Sequence, residues 1–259
     1  MKKIRLLGLL LAFSILILST AAYAIDFSDF LNKWSIVEEA GEEEEEIIPE
    51  PVTVELGGFI VTGFEDYFSY EYGVLNIMGD EEGNEIIVKN IDPDNATSDC
   101  ISMEGGAKVV LEGVNISASN RNPILVGSND DNTITLAEDT INVLTVTAGS
   151  YATVGVKAGN RVVFQGTGQL IVNNFGSGAC IGGSGNSGQT SGSITIEDGT
   201  YRLNPTTGAG IGGGYYGDGG EITINDGDIT VTAPSETYSA GIGGGAYGTG
   251  GIITIGGGS

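Results

Sequence analysis

Histidine is absent from the 259 residues and cysteine occurs twice. Together these gaps remove the Ser/His/Asp and Cys/His relays and the His-containing metal sets from consideration. Cations are nearly as scarce, with 10 Lys and Arg against 34 Asp and Glu and a net charge of -24. Nucleic acid is therefore excluded as a partner, since its binding rests on phosphate neutralisation by Lys and Arg. An acidic polysaccharide would be repelled as well unless a divalent cation bridges the two surfaces. Aromatics make up 7% of the chain and glycine contributes 44 residues, too few large side chains for a compact core. A repeated coil avoids that difficulty by stacking small increments of apolar surface.

The N-terminal 24 residues read as a secretory signal peptide. Lys2, Lys3 and Arg5 precede an apolar core over residues 6–18, and Ala22-Tyr-Ala24 supplies a small-residue cleavage site. The core is short for a bilayer span of about 20 residues, so no transmembrane span is expected after cleavage, and no cysteine at the cut offers lipid attachment. Loss of the three cations takes the net charge from -24 to -27. Residues 25–51 then form an acidic linker whose run of glutamates ends in Pro49 and Pro51, and like charge with little to bury keeps such a segment extended.

From Val52 short β-branched runs alternate with Gly, Asn and Asp, the pattern of many short strands. Residues 52–73 are read as a β-rich leading module, a cap, and residues 74–259 as one repeating domain. The repeat is clearest near the C-terminus, where Gly178-Ala-Cys-Ile-Gly-Gly, Gly208-Ala-Gly-Ile-Gly-Gly-Gly and Ser239-Ala-Gly-Ile-Gly-Gly-Gly recur. Each copy is followed by an Ile strand carrying a central Thr: Thr195, Thr223 or Thr254. Ile181, Ile211 and Ile242 are 30 and 31 residues apart, a solenoid period.

Earlier coils align to these. Ile194/Ile196 and Ile222/Ile224 correspond to Val162/Phe164, Ile134/Leu136, Val109/Leu111 and Ile86/Val88. A second strand is marked by Val114/Ile116, Leu170/Val172, Tyr201/Leu203 and Ile229/Val231, with residues 143–146 a looser match. A third runs through Ile101, Ile124 and Val154. Three short strands per coil with period-2 alternation predict an all-β fold, a parallel β-helix with an apolar column inside and a polar one outside. In this alignment Cys100 and Cys180 sit three coils apart, roughly 14 Å at about 4.8 Å per coil, beyond the reach of a disulfide. Two free thiols are expected.

Several stretches carry a resemblance: Tyr70-Glu-Tyr-Gly-Val-Leu-Asn-Ile, Val109-Val-Leu-Glu-Gly-Val-Asn-Ile, Gly166-Thr-Gly-Gln-Leu-Ile-Val, and the Gly-Ala-Gly-Ile-Gly-Gly-Gly and Ile-Thr-Ile repeats. From Phe59 to Ser259 the chain resembles secreted bacterial carbohydrate-binding domain-containing proteins. The resemblance implies a right-handed β-helix similar in shape to the polysaccharide lyases, with calcium and polysaccharide binding in some members.

Candidate chemistry lies on the outer face. Tyr216 and Tyr247 each stand five residues after their motif isoleucine, with Tyr215 beside the first. As glycan-binding residues they would offer sugar rings apolar faces with a polar rim; as structural residues they would cover a glycine-rich loop. Asp198 and Asp226 each precede a glycine between two strands, where they serve a turn or, stacked on adjacent coils, ligate calcium. A lyase would need a Lys or Arg base beside calcium-binding carboxylates; Lys157, Arg161 and Lys108 are the available cations, with no such cluster around them. The expectation is a secreted or cell-surface, non-catalytic module that binds a polysaccharide or other extracellular glycan, with a structural stalk or adhesin repeat as the alternative. Residues 256–259 align with Asn225-Asp-Gly-Asp228, so the last coil stops in mid-turn, and an N-terminal portion of a longer solenoid is expected.

Overall fold

The computed structural model describes residues 50–185, 189–235 and 238–259. The signal peptide and all of the acidic linker before Glu50 lie outside the described residues. From Val74 onward the chain winds into a parallel β-solenoid. Among the described residues its strands form three sheets of nine, five and eight strands, each coil giving one strand to each sheet once the five-stranded sheet has begun.

Period-2 patterning builds the interior. In the nine-stranded sheet Ile86, Val109, Ile134, Phe164, Ile196, Ile224 and Ile255 lie in register, one coil above the next. Every member up to Ile224 is buried. This register corrects the alignment of Ile134/Leu136 with Val162/Phe164 by two residues: Val162 pairs with Asn132, an interior position that alternation of apolar residues does not mark because an amide fills it. In the eight-stranded sheet Leu75, Ile101, Ile124, Val154, Ile181, Ile211 and Ile242 form the matching column. Phe164 and Tyr201 meet edge to face inside, with ring centroids 6.0 Å apart. The Tyr201 hydroxyl donates to the Asp198 carbonyl at 2.8 Å, so the one polar side-chain atom of a core tyrosine is satisfied. Thr195, Thr223 and Thr254 stack outside.

The second strand departs from the apolar pattern at one coil, and the reason is polar. Leu144 stacks between Ile116 and Val172, which places Asn142 between Val114 and Leu170 in an interior position. Asn142 is wholly buried. Its Oδ1 accepts the Val114 N–H at 2.8 Å and its Nδ2 donates to the Leu111 and Gln169 carbonyls, both at 3.4 Å. Paired on both sides, the amide escapes the cost of an unsatisfied buried polar group. Asn132 works in the same way, accepting the Ala107 N–H at 3.1 Å and donating to the Asp130 carbonyl at 3.0 Å.

At the N-terminal edge the chain reverses. Val52–Leu56 pairs antiparallel with Phe59–Gly63, which pairs antiparallel with Glu85–Asn90. Phe68–Glu71 returns antiparallel on Val74–Met78. These hairpins occupy edges that would otherwise present unpaired parallel strands. Cys100 and Cys180 are both buried and free. Burial pushes their thiols up, to about 11 and about 12, so neither is a nucleophile near neutral pH. Among the described residues no helix is long and apolar enough to cross a membrane.

Candidate functional site

The glycine motifs make sense only from the backbone upward. Each third strand is two residues long, Ile181–Gly182, Ile211–Gly212 and Ile242–Gly243. Its glycine has φ of +134°, +126° or +130° respectively, a region that side chains rarely enter. A Cβ on Gly212 would lie 2.0 Å from the Gly243 carbonyl oxygen. Glycine here lets the chain turn back, and residues 213–220 and 244–251 then fold over the turn that precedes the strand. The Ala209 N–H donates to the Gly213 carbonyl at 2.9 Å, the Ala240 N–H to that of Gly244 at 3.0 Å, and the Tyr215 N–H to that of Ser177 at 2.8 Å.

Successive loops stack on one another. The Tyr216 N–H donates to the Ala246 carbonyl at 2.8 Å and the Gly245 N–H to that of Gly217 at 3.0 Å. Asp218 ties the two loops together, its Oδ1 accepting the Thr249 N–H at 2.7 Å and the Thr249 hydroxyl at 2.8 Å. The hydrogen bonds from Thr249 hold that carboxyl below its ordinary range.

The three tyrosines singled out from the sequence are brought together on these loops. Tyr216 and Tyr247 stack with centroids 5.2 Å apart and planes 23° from parallel, close to the spacing of adjacent coils. Tyr215 meets Tyr216 at 4.2 Å and 66° and Tyr247 at 5.9 Å and 85°. The Tyr215 and Tyr216 hydroxyls are 3.4 Å apart, and that hydrogen bond raises the Tyr215 pKa. Tyr216 is 53% exposed and Tyr247 67%. Both have left-handed backbones, with φ of +63° and +67°, a conformation in which a bulky side chain is an outlier.

A fourth ring, which the repeat pattern does not mark, joins them. Tyr238 lies 6.1 Å from Tyr247, tilted by 33°, and is 81% exposed. It belongs to the turn before the glycine motif rather than to the loop after it, so its position within the repeat differs from that of its neighbours. With so much of the ring in solvent, at least one of its faces is open.

Asp198 and Asp226 stack at successive turns, and each accepts the N–H of its following glycine, at 2.7 Å and 2.8 Å. Gly199 and Gly227 have φ of +109° and +115°, so the carboxylates serve a turn that needs glycine. They border an open pocket of about 430 Å³ with Asp228 and Thr200. Among the described residues no three Asp, Glu or Cys side chains converge as a metal site. Of the cations considered for a lyase, Arg161 pairs with the exposed Asp131 at 3.4 Å, and among the described residues no acid cluster that could hold a metal accompanies it.

The patch thus combines open ring surface, ring edges and hydroxyls on a hydrogen-bonded platform, a chemistry suited to sugar rings. The model of the family described as carbohydrate-binding domain-containing protein matches residues 76–259, which include all four tyrosines. No curated protein and no solved structure matches the chain. With most of its length and the whole tyrosine platform inside that match, the chain belongs to the carbohydrate-binding domain-containing protein family.

Proposed function

We propose that the protein is a secreted or cell-surface, non-catalytic module that binds an extracellular polysaccharide through the Tyr215, Tyr216, Tyr238 and Tyr247 patch. The observation that carries this reading is the occurrence of tyrosine at two left-handed positions in consecutive coils. Holding a side chain there costs on the order of 1–3 kcal/mol, whereas glycine would occupy the position freely. The four ring contacts of the patch, at about 0.5–1.5 kcal/mol each, return a similar amount, so tyrosine gains no net stability over glycine there. Sugar contact gives these rings a use that stability does not.

The geometry defines how a glycan would be held. Because Tyr216 and Tyr247 cover each other's inner faces, a sugar would meet the outside of the stack and the open Tyr238 ring, with tyrosine hydroxyls along the rim. The signal peptide would deliver the module outside the cell, and the acidic linker would hold it off its attachment. Calcium acts, in this reading, as a bridge to acidic glycans rather than as a requirement for neutral ones, with Asp198 and Asp226 as the paired carboxylates that would hold it.

A glycan array with and without calcium, using the full chain and a Tyr216→Ala/Tyr247→Ala variant, tests the proposal. Binding by the parent and loss in the variant is expected. Silence of the folded parent under both conditions would leave the stalk or adhesin-repeat reading, which requires only coil stacking. Turnover of a uronate polymer would replace both with the lyase.

A further inference from the structure

A second surface lies on the same edge of the solenoid, in coils the tyrosine loops do not reach. A groove of about 590 Å³ is lined by Tyr72, Arg121 and Tyr151, with Asn76, Ser102 and Asn122 among the polar groups. Tyr72 is 94% exposed and Tyr151 38%. Asn76 and Ser102 are register partners on adjacent strands, so both side chains project from the outer face of the sheet that forms the groove floor.

The register shows that these groups share one column. Tyr72, Arg121 and Tyr151 each stand three residues before the interior position of their coil, held by Leu75, Ile124 and Val154. The same offset before Ile181, Ile211 and Ile242 gives Gly178, Gly208 and Ser239. A Cβ on Gly178 would meet the Tyr151 carbonyl and one on Gly208 the Gly178 carbonyl, each at 2.2 Å, so these turns are stacked directly. Ser239 is the neighbour of Tyr238. The groove and the tyrosine patch therefore lie along one edge. Tyr72 and Ser239 are six coil steps apart, roughly 29 Å at about 4.8 Å per step.

The groove repeats the chemistry of the patch in another form. It has two exposed aromatic rings, side-chain amides and a hydroxyl, and a guanidinium with several N–H donors, one of which reaches the Gly73 carbonyl at 3.5 Å. Local charge does not favour an anion. Glu71 also lines the groove, and the Asp99 carboxylate and the Arg121 guanidinium flank Gly73 together, 3.1 Å and 3.5 Å from where its Cβ would be. With a net charge of -24 on the chain, a carboxylated ligand would meet repulsion that a neutral sugar would not.

We infer that the groove is a second glycan subsite, and that groove and patch together take one extended, neutral, linear polysaccharide laid along the solenoid axis. This rests on the glycan-binding reading of the patch and adds to it a ligand class, a direction and a minimum length. A chain long enough to occupy both sites gains from their effective concentration, and a short oligosaccharide does not.

The test is calorimetric titration of the full chain with size-graded neutral β-glucan, mannan and xylan oligosaccharides from the disaccharide upward, with uronate oligosaccharides as the charged control. For one neutral series, affinity should rise by roughly tenfold or more once the oligosaccharide spans both sites. An Arg121→Ala/Tyr151→Ala variant should lose that gain while keeping short-chain binding at the patch. Tyr72→Gly, at a position already left-handed with φ of +51°, provides a groove variant that preserves the backbone. Long-chain affinity equal to the parent's in both groove variants would overturn the inference and leave the patch reading standing. Binding confined to uronates would overturn the neutral-ligand assignment in the same way. Absence of binding to every series and to the array would remove both proposals together.

Discussion

The early and late coils use the same edge of the solenoid in opposite ways. Between Ile124–Val126 and Asp131–Leu136 the chain crosses in residues 127–130, too short a crossing to fold back over the turn that carries Arg121. Between Ile211–Gly212 and Glu221–Ile224 it spends residues 213–220, and the loop roofs the equivalent turn. The outward column of the third sheet changes with it, from Asn76, Ser102 and Leu125 to Gly155, Gly182, Gly212 and Gly243. Where a backbone passes over the strand, side chains must leave the strand face, and they reappear on the loop as tyrosines.

That contrast is most severely tested at its glycines. Gly212→Ala places a Cβ against the Gly243 carbonyl at a φ of +126° and should cost more than about 3 kcal/mol in urea unfolding. Ser102→Ala, in the same column of an open coil, should stay within about 0.5 kcal/mol. Equal losses at the two positions would mean that the roof does not press on the strand.

Asn142 probes the interior that both regions share. Asn142→Ala leaves the buried Val114 N–H without its acceptor and should cost about 1–3 kcal/mol, read by the same unfolding curve. No loss would show that the amide is not needed where its neighbours are apolar.

Smaller effects separate stability from function on the roof. Tyr216→Gly and Tyr247→Gly exchange ring stacking for relief of a left-handed backbone, so unfolding free energy should remain within about 1 kcal/mol of the parent while array binding is lost. Destabilisation well beyond that would mark the tyrosines as packing residues.

The smallest expected effect is electrostatic. Because the Asp218 carboxyl titrates below its ordinary range in the folded chain, its contribution is present above the unfolded carboxylate pKa of about 3.9 and is lost as pH falls through the folded value. The group is near solvent, so the contribution should be below about 1 kcal/mol. Hydrogen exchange at the Thr249 amide should accelerate in Asp218→Asn at neutral pH, and the difference from the parent should close at low pH.

Much of the coil is legible in residue order. Alternation locates the apolar columns but leaves their coil-to-coil register open in steps of two, because a slip of two residues keeps the same face buried; Ile134 pairs with Phe164, and Val162 with Asn132. The pattern blurs at residues 143–146, where a satisfied amide replaces an aliphatic side chain and hydropathy cannot distinguish the two. Tyr216 and Tyr247 stand out because they repeat at one offset. Tyr238 does not, and Arg121 and Tyr151 share an offset without sharing a residue type, since outer-face side chains follow no apolar periodicity.

Composition and residue order are enough to dictate a stacked coil: scarce aromatics, many glycines and alternating β-branched residues leave few other ways to bury apolar surface. It takes the folded chain to set the glycine after each third-strand isoleucine beneath a returning loop, to converge four tyrosines from three segments, and to put an arginine from several coils away on their edge. Burial is imposed residue by residue along a strand. A surface site is assembled across coils, from positions that lie far apart along the chain.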